Sequence, residues 1–171
     1  SEEERMTLPI AIPEVGYNKG VIESVSKVIH CASDDTIKPV FHAICFDRGN
    51  VCATDSRRLA IHKAPIVTDY ELLIDRTVFD IALRDKLDYI ADVTDDNAVN
   101  YAVVTNRKDI TIIAREIDGV FPNYNQIIPK HKDLLAVVEL ETKPLLAFLK
   151  HKKGKIIFGG GKLTHTATDQ S

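Results

Sequence analysis

The sequence predicts an α+β fold made of duplicated units, each a helix followed by antiparallel strands. Three observations predict it. Apolar residues recur at helical spacing over Val21, Ile22, Val25, Val28, Ile29 and Ala32, while Glu23, Ser26, Lys27 and His30 point the other way. Short runs that alternate, or are apolar on both sides, follow and are separated by polar turns. The same order of elements then returns between Tyr70 and Glu116.

Taken in order, Ser1 to Arg5 is a charged lead-in, and Leu8 to Val15, with Pro9 and Pro13, reads as an extended segment or entry linker. Asn18 offers a cap oxygen ahead of the first helix. Ser33 to Pro39 is a polar turn, and Val40 to Phe46 reads as a central strand because both of its faces carry apolar residues. A turn around Gly49 leads into Val51–Ala53, and a polar corner at Thr54 to Arg58 separates that strand from Leu59–Lys63.

The second unit begins with extended Tyr70–Ile74. A helix is expected from about Arg76 to Ile90, with Thr77 and Asp80 as a capping box and Phe79, Leu83, Leu87 and Ile90 as its stripe. Strands are expected at Val99–Val104 and Ile110–Glu116 around a hairpin turn at Asn106 to Asp109, and Tyr124 to Pro129 is expected to be a last strand. A third pass reads as a strand at Leu134–Leu140, a helix at Lys143–Lys150, and strands at Lys155–Phe158 and Leu163–Ala167. Here GKLTHTATD (Gly161 to Asp169) echoes GNVCATD (Gly49 to Asp55), and the two aspartates lie one small domain apart. The expected organisation is a lead-in at 1–14, one domain at 15–130, and a partial second domain or C-terminal extension at 131–171.

Composition bounds the function. A hydrophobic share of 44% and a charged share of 27% are globular values, and no apolar run approaches the ~18 residues that span a bilayer. No secretory signal is read at the start, so the expected setting is the cytoplasm without membrane contact. A net charge of −3 argues against coating nucleic acid by bulk attraction but leaves room for a local basic face. Cys31, Cys45 and Cys52 lack CxxC spacing and sit in apolar patterns, which predicts buried free thiols.

Chemistry-bearing motifs are few. His30, His42, His62, His131, His151 and His165 form no HxH, HExxH or Cys-His set, so neither metal nor cofactor is expected. The run Gly159 to Gly161 with Lys162 lacks the phosphate-loop pattern, since Ile156 stands where the first glycine belongs and Leu163 where Ser or Thr belongs. No nucleophile elbow or acid pair stands out, and no enzyme is expected. The corner CATDSRRLAIHKAP (Cys52 to Pro65) remains as the place where function concentrates; Asp55 there suits a turn-closing acceptor, and Arg57 and Arg58 read either as a solvated turn or as contacts.

Three features in this order resemble the bacterial sliding clamp family, the beta subunit of the replicative DNA polymerase, and its middle domain in particular. They are Lys38-Pro39-Val40 after the first helix, ATDSRRLA (Ala53 to Ala60) and DGVFPNYNQIIP (Asp118 to Pro129). The resemblance implies the DNA clamp fold, with helices facing one side and sheets the other. It also implies a non-enzymatic processivity factor that encircles duplex DNA without reading sequence, self-associates into a ring, and docks polymerase and clamp-loader subunits through short linear peptides.

Carried over by position, the implied peptide groove comprises Phe41, Thr54, Ser56, Arg57, Arg58, Leu59 and Pro129, and the implied DNA-facing residues are Lys27, Lys38 and Arg84. The family usually has glycine or a small residue and then histidine where this chain has Ser56 and Arg57. The family's subunits hold several such domains, so the chain reads as a fragment or a shortened relative. A stand-alone peptide-binding or regulatory module that does not encircle DNA is the alternative.

Overall fold

A computed structural model describes residues 10–128, 130, 139–150, 155–159 and 162–166, which divide into one unit ending at Asn125 and another starting at Gln126. In the first, β1 (Asn18–Lys19) turns through Gly20 straight into α1 (Val21–Val28). Gly20 supplies this turn with a φ of +80°, a conformation open to a residue without Cβ. Asn18 therefore does not cap the helix as expected: it pairs with Ile90 in a sheet, and no side chain caps α1.

Pro39 corrects a second expectation. With φ preset and no N–H to satisfy, it opens a single helical turn, α2 (Pro39–His42), so the strand starts only at Ala43. Then β2 (Ala43–Asp47), β3 (Asn50–Thr54) and β4 (Leu59–Lys63) form an antiparallel meander. Arg48 and Gly49 both have positive φ, as a two-residue hairpin turn requires.

The second half repeats the plan with β5 (Glu71–Asp75), α3 (Arg76–Arg84), β6 (Tyr89–Thr94), β7 (Asn100–Thr105) and β8 (Thr111–Arg115). Asp75, not a Thr77 and Asp80 box, caps α3 by accepting the N–H of Thr77 at 2.8 Å. The helix also ends well short of Ile90. Lys86 enters the left-handed region, Leu87 N–H returns to the Ala82 carbonyl at 2.8 Å, and Ile90 belongs to β6, a strand the helical spacing concealed.

The halves exchange their leading strands. One sheet runs β1-β6-β7-β8 and the other β4-β3-β2-β5, so each half's first strand completes the other half's meander. Alternation along the strands then sorts side chains by face. Ile44, Phe46, Val51, Ala53, Leu72 and Ile74 from one sheet and Ile90, Ala102 and Val104 from the other meet Val21, Val25, Val28 and Phe79 in one core. Phe46 and Phe79 pack with ring centroids 5.5 Å apart. Each fully buried Val, Leu, Ile or Phe side chain among them contributes roughly 1.5–3 kcal/mol.

The opposite faces are covered too, which is why these strands read as apolar on both sides. Ile10, only 7% exposed, packs with Tyr101 and Val103, so part of the presumed linker is core. On the other sheet a strap from Ile117 to Tyr124 covers Ala43, Cys45, Cys52 and Leu73. Ile117 N–H donates to the Leu73 carbonyl, Phe121 N–H to Glu71 Oε1 and Tyr124 Oη–H to Asp47 Oδ2, each at 2.8 Å. Asp47 and Glu71 are direct cross-strand partners, and like charges so placed repel; each receives a hydrogen bond from the strap. Tyr124 to Gln126 is a 3₁₀ turn rather than the expected strand.

The second unit contains α4 (Thr142–Lys150) and an antiparallel hairpin, β9 (Lys155–Gly159) with β10 (Lys162–Thr166). Most of the expected Leu134–Leu140 strand, together with Ala167 to Asp169 of the echo, lies outside the described residues. No described helix is long and apolar enough to cross a membrane.

Candidate functional site

The corner between β3 and β4 is built by its own short-range bonds. Asp55 Oδ1 accepts the backbone N–H of Arg57 at 2.9 Å and of Arg58 at 2.7 Å. Its Oδ2 receives the Arg58 guanidinium through Nε at 2.9 Å and Nη2 at 2.8 Å. Thr54, which is buried, donates its hydroxyl to the Arg58 carbonyl at 2.6 Å and accepts Ser56 N–H at 3.2 Å. The N–H groups of Arg58 and Arg57, and then the Arg58 guanidinium, hold the Asp55 carboxyl well below the usual carboxylate range.

Ser56 sits at φ +75°, where glycine would be unstrained. This is the position at which the resemblance calls for glycine or a small residue. The tight corner keeps Ser56 and Arg57 exposed at its tip.

Beside the tip, α2 and the Ser33 to Lys38 turn supply the facing wall. Ser33, Asp35, Lys38, Phe41, Asp55, Ser56 and Arg57 line a cleft of about 320 Å³. Lys38 Nζ lies 5.8 Å from the Phe41 ring centroid, within cation–π range. The turn is held in place by Ser33 Oγ, which accepts Asp35 N–H at 3.0 Å, by Asp35 Oδ1, which accepts Ile37 N–H at 2.9 Å, and by buried His42, whose Nδ1 is 2.7 Å from the Ser33 carbonyl oxygen.

The residues singled out from sequence are thus distributed unevenly. Phe41, Ser56 and Arg57 meet in the cleft, and Lys38, expected to face DNA, meets them there. Thr54 and Arg58 shape the corner instead of lining the cleft, and half-buried Leu59, like Val40, packs against the cluster that holds Phe121 and Tyr124. Pro129 lies outside the described residues. Ser33 and Asp35 were missed as lining; their turn signal was visible, but nothing in it marked a wall opposite the corner.

The helical face is mixed in charge. Lys27 is exposed near the end of α1. Arg84 reaches Asp85 through Nε and Nη2, both at 2.9 Å, and its guanidinium lowers the Asp85 pKa. Glu23 and Asp80 are exposed on the same two helices, which pack against each other. All three cysteines are free and buried. Among the described residues no three ligating side chains gather as a metal site.

No family model matches the sequence, and no curated protein matches it. Solved structures do. The DNA polymerase sliding clamp from Bacillus subtilis superposes with a TM-score of 0.50 at 19% identity, covering 71% of this chain and 36% of that one. The DNA polymerase III subunit beta from Pseudomonas aeruginosa gives a TM-score of 0.49 at 14% identity, covering 72% and 38%. The chain therefore spans little more than a third of the length of the clamps it matches. At such identity the likeness speaks for architecture, and over that stretch the chain has the fold of the bacterial DNA polymerase sliding clamps.

Proposed function

We propose that the chain is a sliding-clamp module, acting without a catalytic centre of its own as part of a ring around duplex DNA and docking polymerase and loader subunits through short peptides. The observation that carries the reading is the clamp fold together with an open cleft at the β3–β4 corner. A partner peptide would set a leucine or phenylalanine anchor against Phe41 and the Leu59 margin, while Ser56 and Arg57 meet its polar groups. Pro129 would complete the groove. Lys27, Lys38 and Arg84 are proposed to face DNA, with domain boundaries near 15 and 130.

Two experiments test this. On circular duplex DNA the assembled protein should be retained, and cutting the circle should release it; retention on linear DNA with free ends would rule out a topological link. In a calorimetric titration Phe41→Ala should weaken a leucine- and phenylalanine-bearing peptide by about 2 kcal/mol or more. Unchanged affinity would remove the cleft from the docking surface.

The mixed charge of the helical face, where Arg84 is tied to Asp85 and Glu23 and Asp80 stand nearby, favours a second reading. On that reading the fold is kept for peptide binding or regulation and does not encircle DNA. A native mass that stays monomeric at micromolar concentration, with peptide affinity intact, would select it.

A further inference from the structure

We infer that the β7–β8 hairpin forms a second ligand cleft, which takes an aliphatic residue of a peptide on Ile12, Pro13 and Tyr17 and a neighbouring peptide carboxylate on Arg107. It shares no lining residue with the cleft at the β3–β4 corner and goes beyond the proposed groove.

The hairpin repeats the construction of that corner. Thr54 donates its hydroxyl to the Arg58 carbonyl and accepts the N–H of Ser56, which has a positive φ. Thr105, only 3% exposed, donates to the Ile110 carbonyl at 2.8 Å and accepts the N–H of Arg107 at 2.9 Å, and Arg107 has a φ of +59°. Asp55 and Asn106 follow the two threonines, and each folds a side-chain oxygen back onto backbone N–H groups further along. Asn106 Oδ1 accepts those of Lys108 at 2.9 Å, Asp109 at 3.2 Å and Ile110 at 3.1 Å. The duplicated plan of the two halves thus reaches down to turn chemistry.

One difference separates the turns. Asp55 is a carboxylate and draws in the Arg58 guanidinium, whereas Asn106 is neutral and its Nδ2 donates to Asp109 Oδ1 at 2.7 Å. Arg107 makes no ion pair among the described residues. Its guanidinium carbon lies 5.3 Å from the Tyr17 ring centroid and 5.7 Å from that of Tyr89, and Nη2 donates to the Glu14 carbonyl at 3.4 Å. These contacts position the head group without neutralising it.

Ile12, Pro13, Glu14, Tyr17, Arg107 and Thr111 line a cleft of about 310 Å³, close to the size of the first. Ile12 is 44% exposed, so the wall facing the hairpin leaves apolar surface uncovered. A guanidinium without a carboxylate, beside uncovered apolar and aromatic surface, complements an aliphatic residue next to a carboxylate. That carboxylate comes from an Asp or Glu side chain or from a chain end. Glu14 is the one acid of the lining, and its carbonyl, not its carboxylate, meets Arg107.

The test is an NMR titration of the full chain at low salt with three N-acetylated alanine-based octapeptides, each containing one leucine. The first has Asp after the leucine and an amidated C-terminus, the second has Asn there and is amidated, and the third ends in the leucine with a free carboxylate. Shifts at Ile12, Tyr17 and Thr111 report this cleft, and shifts at Phe41 and Ser56 report the corner. At the first set, the Asp or the free-end peptide should bind about fivefold tighter than the neutral one, and whichever does so names the source of the carboxylate. Arg107→Gln should erase that difference, and Glu14→Gln should widen it by removing the opposing charge; both residues are exposed. Equal affinities of the three peptides, or a difference that survives Arg107→Gln, would overturn the inference. Shifts at Phe41 and Ser56 alone would overturn it and leave the proposed groove standing, whereas shifts at Ile12, Tyr17 and Thr111 alone would support it and count against the groove. Shifts at Tyr17 and Arg107 with a short DNA duplex, and none there with any peptide, would also overturn it, since a phosphate would then be the anion that Arg107 takes.

Discussion

Arg58 closes its guanidinium onto Asp55, with Nε and Nη2 at 2.9 and 2.8 Å from one carboxylate oxygen, while the other oxygen takes the Arg58 and Arg57 N–H groups. One aspartate therefore sets the shape of the corner and decides which arginine remains available. The carboxyl is held well below its ordinary range, by those N–H groups first. A depressed folded pKa means that the unfolded chain takes up a proton the folded chain refuses. The stability from Asp55 is thus complete above the unfolded value of about 4 and is lost as pH falls through the folded value. Asp55→Asn should be less stable than the parent at neutral pH, and the deficit should narrow below about pH 4. Urea midpoints of both proteins across pH check this, and a gap independent of pH would refute it.

The strap offers a second test at Gly119. Its φ is +156°, and a Cβ there would lie 2.5 Å from Val40 Cγ2, far inside contact distance. Valine is stiff at χ1 and cannot swing away cheaply. Gly119→Ala should therefore cost about 1–3 kcal/mol and shift the resonances of Val40 and Phe121. A variant as stable as the parent would show that the strap can lift from α2 without loss.

Burial governs the cysteines. Cys45 and Cys52 are cross-strand partners under the strap, and burial pushes both thiols up, Cys52 to about 11. Since the thiolate is the reactive form, an aromatic disulfide reagent at pH 8 should leave both unmodified in the folded protein and react with them once urea unfolds it. Prompt reaction of the native protein would mean that the strap opens often. Proximity across the strands is thus no sign of a reactive pair.

How much of this could be read from sequence depended on whether the deciding residue signals itself. The stripe of α1, the alternation in β2 and β3 and the Gly49 turn are local, and their pattern names the element. The end of α3 is not: Lys86 takes the left-handed role usually given to glycine, so the apolar spacing of Leu87 and Ile90 runs on as if helical. Asn18 looks like a cap because its strand partner, Ile90, is distant in sequence. At the site, the polar corner and the acceptor role of Asp55 were legible from turn chemistry. The inequality of Arg57 and Arg58 was not, since adjacent identical residues differ only in which one the corner folds back on.

Ion pairing also decides which cations of the helical face are available to DNA. Each phosphate neutralised by a protein cation adds about 0.9 to the slope of log affinity against log salt. Arg84 shares its guanidinium with Asp85, and its approach to a phosphate must compete with that pair; exposed Lys27 makes no ion pair among the described residues. If both face duplex DNA in the assembled protein, Lys27→Ala should lower the slope by about 0.9, and Arg84→Ala should lower it less. Asp85→Ala should then strengthen binding at low salt by releasing Arg84. Filter binding of a linear duplex from 50 to 200 mM salt, roughly the range in which such contacts dominate, measures all three variants. Slopes that stay at the parent value would place both residues away from the DNA, and with them the helical face that carries them.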